Sequence, residues 1–193
     1  MKIYLIRHGE TTGDIEDRFG GDYDDHLTEK GQKQALELTQ NLKDKGIEKI
    51  FTSPLIRAKE TSDTLQKALG VEVEVVETLR ERNQYGVLTG MVKAEAKDKH
   101  PELVEGLRDF HNTIEGAENY EDFKVRILET LNNISGQDLS CVAIVTHGGP
   151  IKTILRIILN QENIADIKDC GFGLIEGSNN NYKMLDSENL YKS

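Results

Sequence analysis

The chain has few of the residues that stabilise small secreted domains or span membranes. Its 193 residues include two cysteines, three prolines and no tryptophan. Cys141 lies in an apolar run and Cys170 lies beside Gly171, with no CxxC spacing, so we expect two buried thiols and no disulfide framework. No apolar run approaches the roughly 18 residues of a membrane span, and the run at 3–6 meets Arg7 too soon for a signal peptide. These absences predict a cytoplasmic protein.

The chain also has fewer basic than acidic residues. Lysine and arginine number 24 against 34 aspartates and glutamates, which gives a formal net charge of −10. An acidic chain repels phosphate backbones and anionic lipids, so we expect neither nucleic acid nor a membrane as a partner. The hydrophobic content of 37% and the recurring apolar runs indicate one globular domain over residues 1–193.

Short apolar runs alternate with amphipathic stretches, which is typical of an α/β sheet covered by helices. We predict strands at 3–6, 50–52, 71–76 and 141–145, a closing hairpin of 171–176 with 182–185, and helices starting near 28, 53, 120 and 148. The result is a three-layer α/β sandwich with a mostly parallel central sheet. The second helix is predicted to use Ser53 as its cap, with Pro54 at the first helical position.

Two segments suggest features beyond this sandwich. Residues 71–76 alternate between valine and glutamate, as in a half-exposed edge strand. Such an edge could pair with a second copy in a homodimer, although Glu72 and Glu74 could equally prevent that pairing. Residues 86–119 hold two weak helical patches, a break at His100 and three internal glycines. We predict that they leave the sheet and serve as a lid or cap.

Three predicted strands end in residues suited to an anion. Arg7 and His8 follow the first strand, Arg57 follows the second, and THGG at 146–149 follows the strand at 141–145. Because the carboxyl ends of parallel strands meet at one edge, beside helix N-termini, these groups should converge. Two histidines, two arginines and a glycine-rich turn fit an oxyanion, most simply a phosphoryl group.

Each of these features also has an ordinary explanation. An isolated RHG tripeptide is common, a lone helical arginine is usually solvated, and glycines after a strand often serve packing. A metal site is the competing interpretation of the histidines, but the sequence has no HxxxH, HxH or neighbouring cysteine, so we expect no metal. His26, His100 and His111 lie in polar or irregular stretches and are expected at the surface.

Blocks of sequence resemble the signatures of one family. RHGET at 7–11 is similar to the RHGE[TS] signature of the histidine phosphatase superfamily, which includes the cofactor-dependent phosphoglycerate mutases. SPLIRAKET at 53–61 resembles its SPLxRAxxT block, LRER at 79–82 its acidic block, and THGG at 146–149 its second histidine block. The blocks occur in the family's order. The resemblance implies a phosphoglycerate-mutase-like fold.

The resemblance also implies a reaction through phosphohistidine. His8 would attack phosphorus while a backbone carbonyl holds its other ring N–H. Arg7, Arg57 and His147 would bind the equatorial phosphoryl oxygens. Glu81 would protonate the leaving alcohol and then take a proton from the attacking water. Because the site supplies its own cations, the resemblance implies neither metal nor cofactor.

A wider set of substrate contacts follows from the same blocks and their neighbours. We expect the phosphate or the substrate to contact Arg7, Asp14, Arg18, Phe19, Gly21, Tyr23, Arg57, Glu81, Arg82, Tyr85, Glu118, His147 and Gly148. The alternative for Glu118 is an acid that only stabilises a helix N-terminus.

Two positions depart from the family's pattern. Asp14 stands where the family often has asparagine, and a carboxylate facing a phosphate would repel it. We therefore expect Asp14 to turn away, the alternative being contact with a cationic part of the substrate. The spacing from Glu81 to Gly86 is one residue longer than is usual in the family.

The superfamily contains both phosphatases and mutases. Mutases carry extra basic residues beyond the glycine block, whereas here Lys93, Lys97, Lys99 and Arg108 are nearly balanced by neighbouring acids. We therefore expect a metal-independent phosphomonoesterase that acts on a small phosphorylated metabolite. The alternatives are a cofactor-dependent phosphoglycerate mutase and a non-catalytic module that binds phosphorylated ligands.

Overall fold

The computed structural model describes residues 1–160 and 164–192. The strands are β1 (Lys2–Arg7), β2 (Lys49–Thr52), β3 (Glu72–Val75), β4 (Cys141–Thr146), β5 (Ile164–Ser178) and β6 (Asn181–Lys192). The helices are α1 (Thr12–Ile15), α2 (Glu29–Leu42), α3 (Ile56–Leu69), α4 (Lys93–Lys99), α5 (Pro101–Gly106), α6 (Tyr120–Ser135) and α7 (Gly148–Leu159). Within these ranges, no helix combines the length and the apolar character needed to cross a bilayer.

The six strands form one sheet in the order β3-β2-β4-β1-β5-β6. Its first four strands are parallel, while β5 runs antiparallel to β1 and β6 antiparallel to β5. Arg7 is in register with Thr146, and Thr52 with Val145. Strands β2, β4 and β1 therefore end at one edge of the sheet, which we call the carboxyl edge. Strand β3 is the outermost strand on one side of the sheet, so the predicted half-exposed edge strand is confirmed.

Alternate residues of the central strands belong to two separate cores. Ile3 and Leu5 pack with the apolar residues of α6 and α7, whereas Tyr4 and Ile6 pack with those of α2 and α3. A fully buried aliphatic side chain stabilises the fold by about 1.5–3 kcal/mol relative to an exposed one. The sheet is thus held between two helical layers, and the predicted three-layer sandwich is confirmed.

The start of α3 differs from the prediction. Ser53 and Pro54 precede the helix, and Leu55 occupies the cap position without a side-chain hydrogen bond. Ser53 continues the extended chain instead, because its N–H donates to the carbonyl of Val145 at 3.0 Å. The prediction that Ser53 is the cap residue of this helix was therefore wrong; its hydroxyl accepts from the backbone N–H of Leu55 at 3.3 Å and lies at the carboxyl edge.

The closing hairpin is longer than expected. Strands β5 and β6 pair from Ile164 to Lys192, well beyond the segments predicted from the sequence. Their turn contains Asn179 at φ 51° and Asn180 at φ 63°. Two successive left-handed residues match the turn type that best fits the twist of a hairpin, and asparagine tolerates this backbone.

Residues 86–119 leave the sheet, as predicted. They contain α4, α5 and a short 3₁₀ helix at Gly86–Leu88, and they contribute Leu88, Ala96 and Ile114 to a third apolar cluster with Phe19. This cluster lies apart from the two cores of the sandwich. A lid function of the segment stays a prediction. The predicted burial of both cysteines as free thiols is confirmed.

The loop after β1 is fixed by a close approach of α2. A Cβ added to Gly31 would lie 2.2 Å from the carbonyl oxygen of Glu10, and one added to Gly9 would lie 2.6 Å from the carbonyl oxygen of Gly31. These are backbone atoms that cannot move aside as a flexible side chain can. The two glycines therefore set the position of the segment that begins with His8.

Replacing Gly31 with alanine tests this approach. An ordinary glycine-to-alanine change within a helix gains about 1 kcal/mol from helix propensity. Here the clash should outweigh that gain and lower the free energy of unfolding by about 1–3 kcal/mol. Urea denaturation measures the change. Gly20→Ala is the matched control, since a Cβ there meets nothing within 4 Å, and equal stability of both variants would contradict the packing argument.

Candidate active site

His8 lies directly after β1 at the carboxyl edge. The backbone N–H of His8 donates to the carbonyl of Thr146 at 3.1 Å, and the backbone carbonyl of His8 accepts from the N–H of Cys170 at 3.1 Å. The ring atom Nδ1 lies 2.8 Å from the carbonyl oxygen of Gly9. Because a carbonyl only accepts, Nδ1 carries the proton and Nε2 carries the lone pair. The predicted backbone carbonyl on the His8 ring is thereby confirmed.

Arg57 places a buried guanidinium beside this ring. Its Nε–H donates to Nε2 of His8 at 3.1 Å. Its terminal nitrogens donate to the carboxylate of Asp25 at 2.9 Å and to the carbonyls of Tyr23 and Gly21 at 2.6 and 2.8 Å. Two residues predicted as substrate contacts thus offer backbone oxygens to Arg57, and Asp25 neutralises its charge.

His147 lies beside His8, with ring centroids 5.1 Å apart. Its Nε2 is 2.7 Å from Oγ of Ser53, whereas its buried Nδ1 has no hydrogen-bond partner among the described residues. Burial, together with the charge of Arg57, holds the pKa of both histidines well below the usual value. Both rings are therefore neutral at pH 7, and one ring nitrogen of His147 is left to bind a further group.

Arg7 is fixed from the opposite side, by β5. One terminal nitrogen donates to the carbonyl of Ile167 at 2.7 Å, and the other lies 3.2 Å from a carboxylate oxygen of Asp169. The buried Nε has no partner within the described part of the chain. A guanidinium anchored at one end and unsatisfied at Nε can donate to an incoming anion.

Glu81 reaches the same region despite its longer spacing to Gly86. One carboxylate oxygen accepts from the N–H of Gly149 at 2.9 Å, and the other accepts from the N–H of Arg82 at 2.7 Å. Gly149 lies in the first turn of α7, where N–H groups lack helical partners and favour a carboxylate. The helix therefore fixes the carboxylate of Glu81 at the carboxyl edge.

A cavity of about 620 Å³ brings these residues together. Of the predicted site residues, its wall includes Arg7, His8, Asp14, Arg18, Gly21, Arg57, Glu81, Arg82, Tyr85 and Gly148. Four others lie outside the wall, namely Phe19, Tyr23, Glu118 and His147. Phe19 packs its ring against that of Tyr85, with centroids 4.8 Å apart, and His147 is buried beside His8.

Two acidic residues have structural partners. Both carboxylate oxygens of Glu118 accept hydrogen bonds from Arg126, at 2.7 and 2.8 Å, and Glu118 does not line the cavity, so its contact with a substrate stays a prediction. Asp14 accepts hydrogen bonds from the N–H and the hydroxyl of Thr11 in a capping box on α1. This capping contact is consistent with the expectation that Asp14 turns away, although the residue still borders the cavity.

Sequence reasoning missed several wall residues. Lys152 and Arg156 of α7 border the cavity, as does Phe110 from the 86–119 segment. Lys152 and Arg156 could have been identified from the sequence, since they are the two cations of a mostly apolar helix and lie four residues apart, on one face. For Asp25 and Ser53 no spacing pattern pointed to the buried Arg57 and His147 that they contact.

The remaining histidines confirm the surface prediction. His26, His100 and His111 are exposed, and His26 pairs with Glu60 at 2.7 Å. Across the described residues, no three histidine, cysteine, aspartate or glutamate side chains converge in a way that could hold a metal ion.

The depressed pKa values of His8 and His147 make stability depend on pH. In the unfolded chain both rings bind a proton near pH 6.5, whereas the folded protein binds these protons only at lower pH. Acidification below about pH 6.5 therefore favours unfolding, and stability rises with pH through this window. Between pH 6.5 and 5 each histidine should account for up to about 2 kcal/mol.

Urea denaturation at pH 7.5, 6.5 and 5 measures this dependence. His8→Asn and His147→Asn should each show a smaller loss of stability on acidification than the unmodified protein. His100→Asn is the control, because the ring it removes is exposed. If all three variants lost stability in parallel with the unmodified protein, the buried rings would not be the source of the effect.

Comparison with known proteins agrees with this geometry. The chain is 30% identical over 185 residues to a probable phosphoglycerate mutase GpmB of Erwinia tasmaniensis, with 91% of this chain and 85% of the relative covered. It is 34% identical to a metal-independent phosphoserine phosphatase of Arabidopsis thaliana, with 81% and 68% covered. The structure of Bacillus stearothermophilus YhfR aligns with a TM-score of 0.84 and 26% identity, over 95% of this chain and 94% of that one.

The relatives thus include both phosphatases and mutases. Residues 3–182 match the family described as the histidine phosphatase superfamily, branch 1. The chain therefore belongs to the histidine phosphatase superfamily.

Proposed function

We propose that the protein is a phosphomonoesterase that hydrolyses small phosphate esters without a metal, through a phosphohistidine on His8. The observation that carries this proposal is the state of the His8 ring. Its Nδ1–H is held by the carbonyl of Gly9, and the lone pair of Nε2 is held 3.1 Å from a buried guanidinium. A neutral, oriented imidazole beside fixed positive charge is suited to attack phosphorus.

Two of the phosphoryl oxygens would be bound by N–H donors that have no partner among the described residues. Nε of Arg7 and Nδ1 of His147 are buried and lack partners among the described residues. When the hydroxyl of Ser53 donates to Nε2 of His147, the proton of that ring lies on Nδ1, where a phosphoryl oxygen can accept it. Nε–H of Arg57, directed at Nε2 of His8, would donate to a third oxygen as phosphorus approaches.

Glu81 would donate a proton in the first step of the reaction and accept one in the second. In the first step Nε2 of His8 bonds to phosphorus, the ester P–O bond breaks, and protonated Glu81 gives its proton to the leaving alkoxide. In the second step water attacks the phosphohistidine, its proton passes to Glu81, and the P–N bond breaks to release phosphate. The position of the carboxylate on the wall of the same cavity supports this role.

The charges of the 86–119 segment favour hydrolysis over mutase activity. A mutase must hold a second phosphate, but three cations of this segment pair with carboxylates: Lys93 with Asp17, Lys99 with Glu95 and Arg108 with Glu105. The relatives named as mutases keep mutase activity as the second candidate. Turnover of 3-phosphoglycerate that depends on a bisphosphoglycerate primer would establish it.

Hydrolysis of 4-nitrophenyl phosphate and of propyl phosphate, both with EDTA present, tests the proposal. His8→Ala should lower kcat/KM by at least about a thousandfold for both esters. Glu81→Gln should lower it by about 10²–10⁴-fold for propyl phosphate. Its effect on the nitrophenyl ester should be smaller, because nitrophenolate leaves as a stable anion and needs less protonation.

The control for this experiment is His100→Ala, which removes an exposed histidine that does not line the cavity and should keep full activity. Activity of His8→Ala equal to that of the unmodified protein would refute the phosphohistidine. Loss of activity in EDTA that added metal restores would refute the metal-independent reaction.

A further inference from the structure

Strand β5 contains a bulge beside the end of β1. Ile6 is in register with Phe172, and the pairing of β1 with β5 ends at this pair. On its other side, β5 is out of register with β6 between Ile167 and Phe172, because residues 168–171 lie opposite Asn189 alone. We call residues 168–171 the β5 bulge. Bulges redirect side chains and are common next to active sites, and this one lies where the candidate active site begins.

The backbone of the β5 bulge is tightly constrained. Cys170 has a φ of 54°, in the left-handed region that residues with a Cβ seldom adopt. A Cβ added to Gly171 would lie 2.9 Å from the carbonyl oxygen of Lys168, so a side chain there would crowd the backbone. The N–H of Cys170 donates to the carbonyl of His8 at 3.1 Å. A rare backbone conformation persists where the surrounding contacts impose it, and these contacts fix the bulge against the end of β1.

The bulge and the residue before it hold the guanidinium of Arg7 at both terminal nitrogens. One nitrogen donates to the carbonyl of Ile167 at 2.7 Å, and the other lies 3.2 Å from a carboxylate oxygen of Asp169. A guanidinium is planar, with its donors in a rigid fork, so two contacts at its terminal nitrogens determine where the Nε–H points. The buried Nε of Arg7 has no partner among the described residues.

Asp169 reaches Arg7 from outside the cavity of the candidate active site. It does not line that cavity, whereas both residues line a second cavity of about 740 Å³. Burial raises the pKa of Asp169, although the charge of Arg7 opposes this rise. The carboxylate has therefore given up water at the place where it meets the guanidinium. Because Asp169 contacts Arg7 and does not line the active-site cavity, its effect on the reaction passes through Arg7.

We propose that Asp169 is a positioning residue, which holds the guanidinium of Arg7 so that its Nε–H is directed at the phosphoryl group. This inference rests on the proposed function for the role of Arg7. A carboxylate near the site weakens anion binding through its charge, so the benefit of Asp169 lies in the orientation that it imposes. An arginine that is free to rotate must be ordered whenever a phosphoryl group binds, and this weakens both binding and the transition state.

Replacing Asp169 with asparagine and with alanine separates orientation from charge. Both variants remove the charge, but only the amide oxygen of asparagine can accept from Arg7. In isothermal calorimetry, inorganic phosphate should bind at least about threefold more weakly to Asp169→Ala than to Asp169→Asn, because Arg7 must then be ordered on binding. For 4-nitrophenyl phosphate, kcat/KM should be at least about tenfold lower in Asp169→Ala than in Asp169→Asn, with most of the loss in kcat.

The same pair of substitutions in an Arg7→Ala background tests whether the effect passes through Arg7. The two double variants should bind phosphate with equal affinity, since no guanidinium is left to orient. Asp138→Asn and Asp138→Ala are the matched controls. Asp138 is exposed and precedes β4, at the opposite edge of the sheet, so both control variants should match the unmodified protein in affinity and activity.

Calorimetry also distinguishes positioning from a purely structural role. If Asp169 only stabilised the fold, Asp169→Ala would lower the number of phosphate sites per chain, while each folded site would keep the affinity found in Asp169→Asn. Equal affinities of the two variants would therefore overturn the positioning role. A difference that persists in the Arg7→Ala background would overturn it as well.

The outcomes separate this proposal from the proposed function. Hydrolysis of 4-nitrophenyl phosphate by the unmodified protein, with equal phosphate affinities of Asp169→Ala and Asp169→Asn, overturns the positioning role while the phosphatase stands. A difference in phosphate affinity that depends on Arg7, with no hydrolysis of any ester, overturns the phosphatase alone.

Discussion

The buried guanidinium of Arg57 is the group on which the site depends. It is 4% exposed, so its charge requires the carboxylate of Asp25 and the carbonyls of Gly21 and Tyr23. Loss of one partner from such a pair typically costs about 3–5 kcal/mol. This penalty ties the loop that carries the three partners to α3. The same cation lies against His8 and, together with burial, keeps the ring neutral, so the interaction that orders the loop also sets the protonation state of the proposed nucleophile.

The convergence at the carboxyl edge could be predicted because it follows from the geometry of parallel strands. Once the runs at 3–6, 50–52 and 141–145 are identified as neighbouring parallel strands, their register places the residues that follow them side by side. His8, Arg57 and His147 needed no knowledge of loops for this prediction. The expectation that a backbone carbonyl holds the His8 ring N–H came from the resemblance and is confirmed, and the structure identifies that carbonyl as the one of Gly9.

The parts that could not be predicted depend on loop paths and on contacts distant in sequence. Ser53 has the sequence signal of a helix cap, but its hydrogen bond to His147 joins residues 94 positions apart. Glu118 precedes a helix and could be assigned to the substrate, yet Arg126, two turns further along, takes both its oxygens. The two cations of α7 could be noticed in the sequence, because they lie four residues apart in a mostly apolar helix. Only the fold shows that they line the same cavity as Arg82 and Phe110, which come from other segments.

The acidic surface and the cationic cavity act over different distances. Charges in solvent are screened beyond about 10 Å at 0.1 M salt, so the net charge of −10 repels a distant anionic ester only weakly. Arg82 lines the cavity and is nearly buried, so its field is screened much less. An anion that enters the cavity is therefore influenced more by the nearby charge of Arg82 than by the distant charges of the acidic surface.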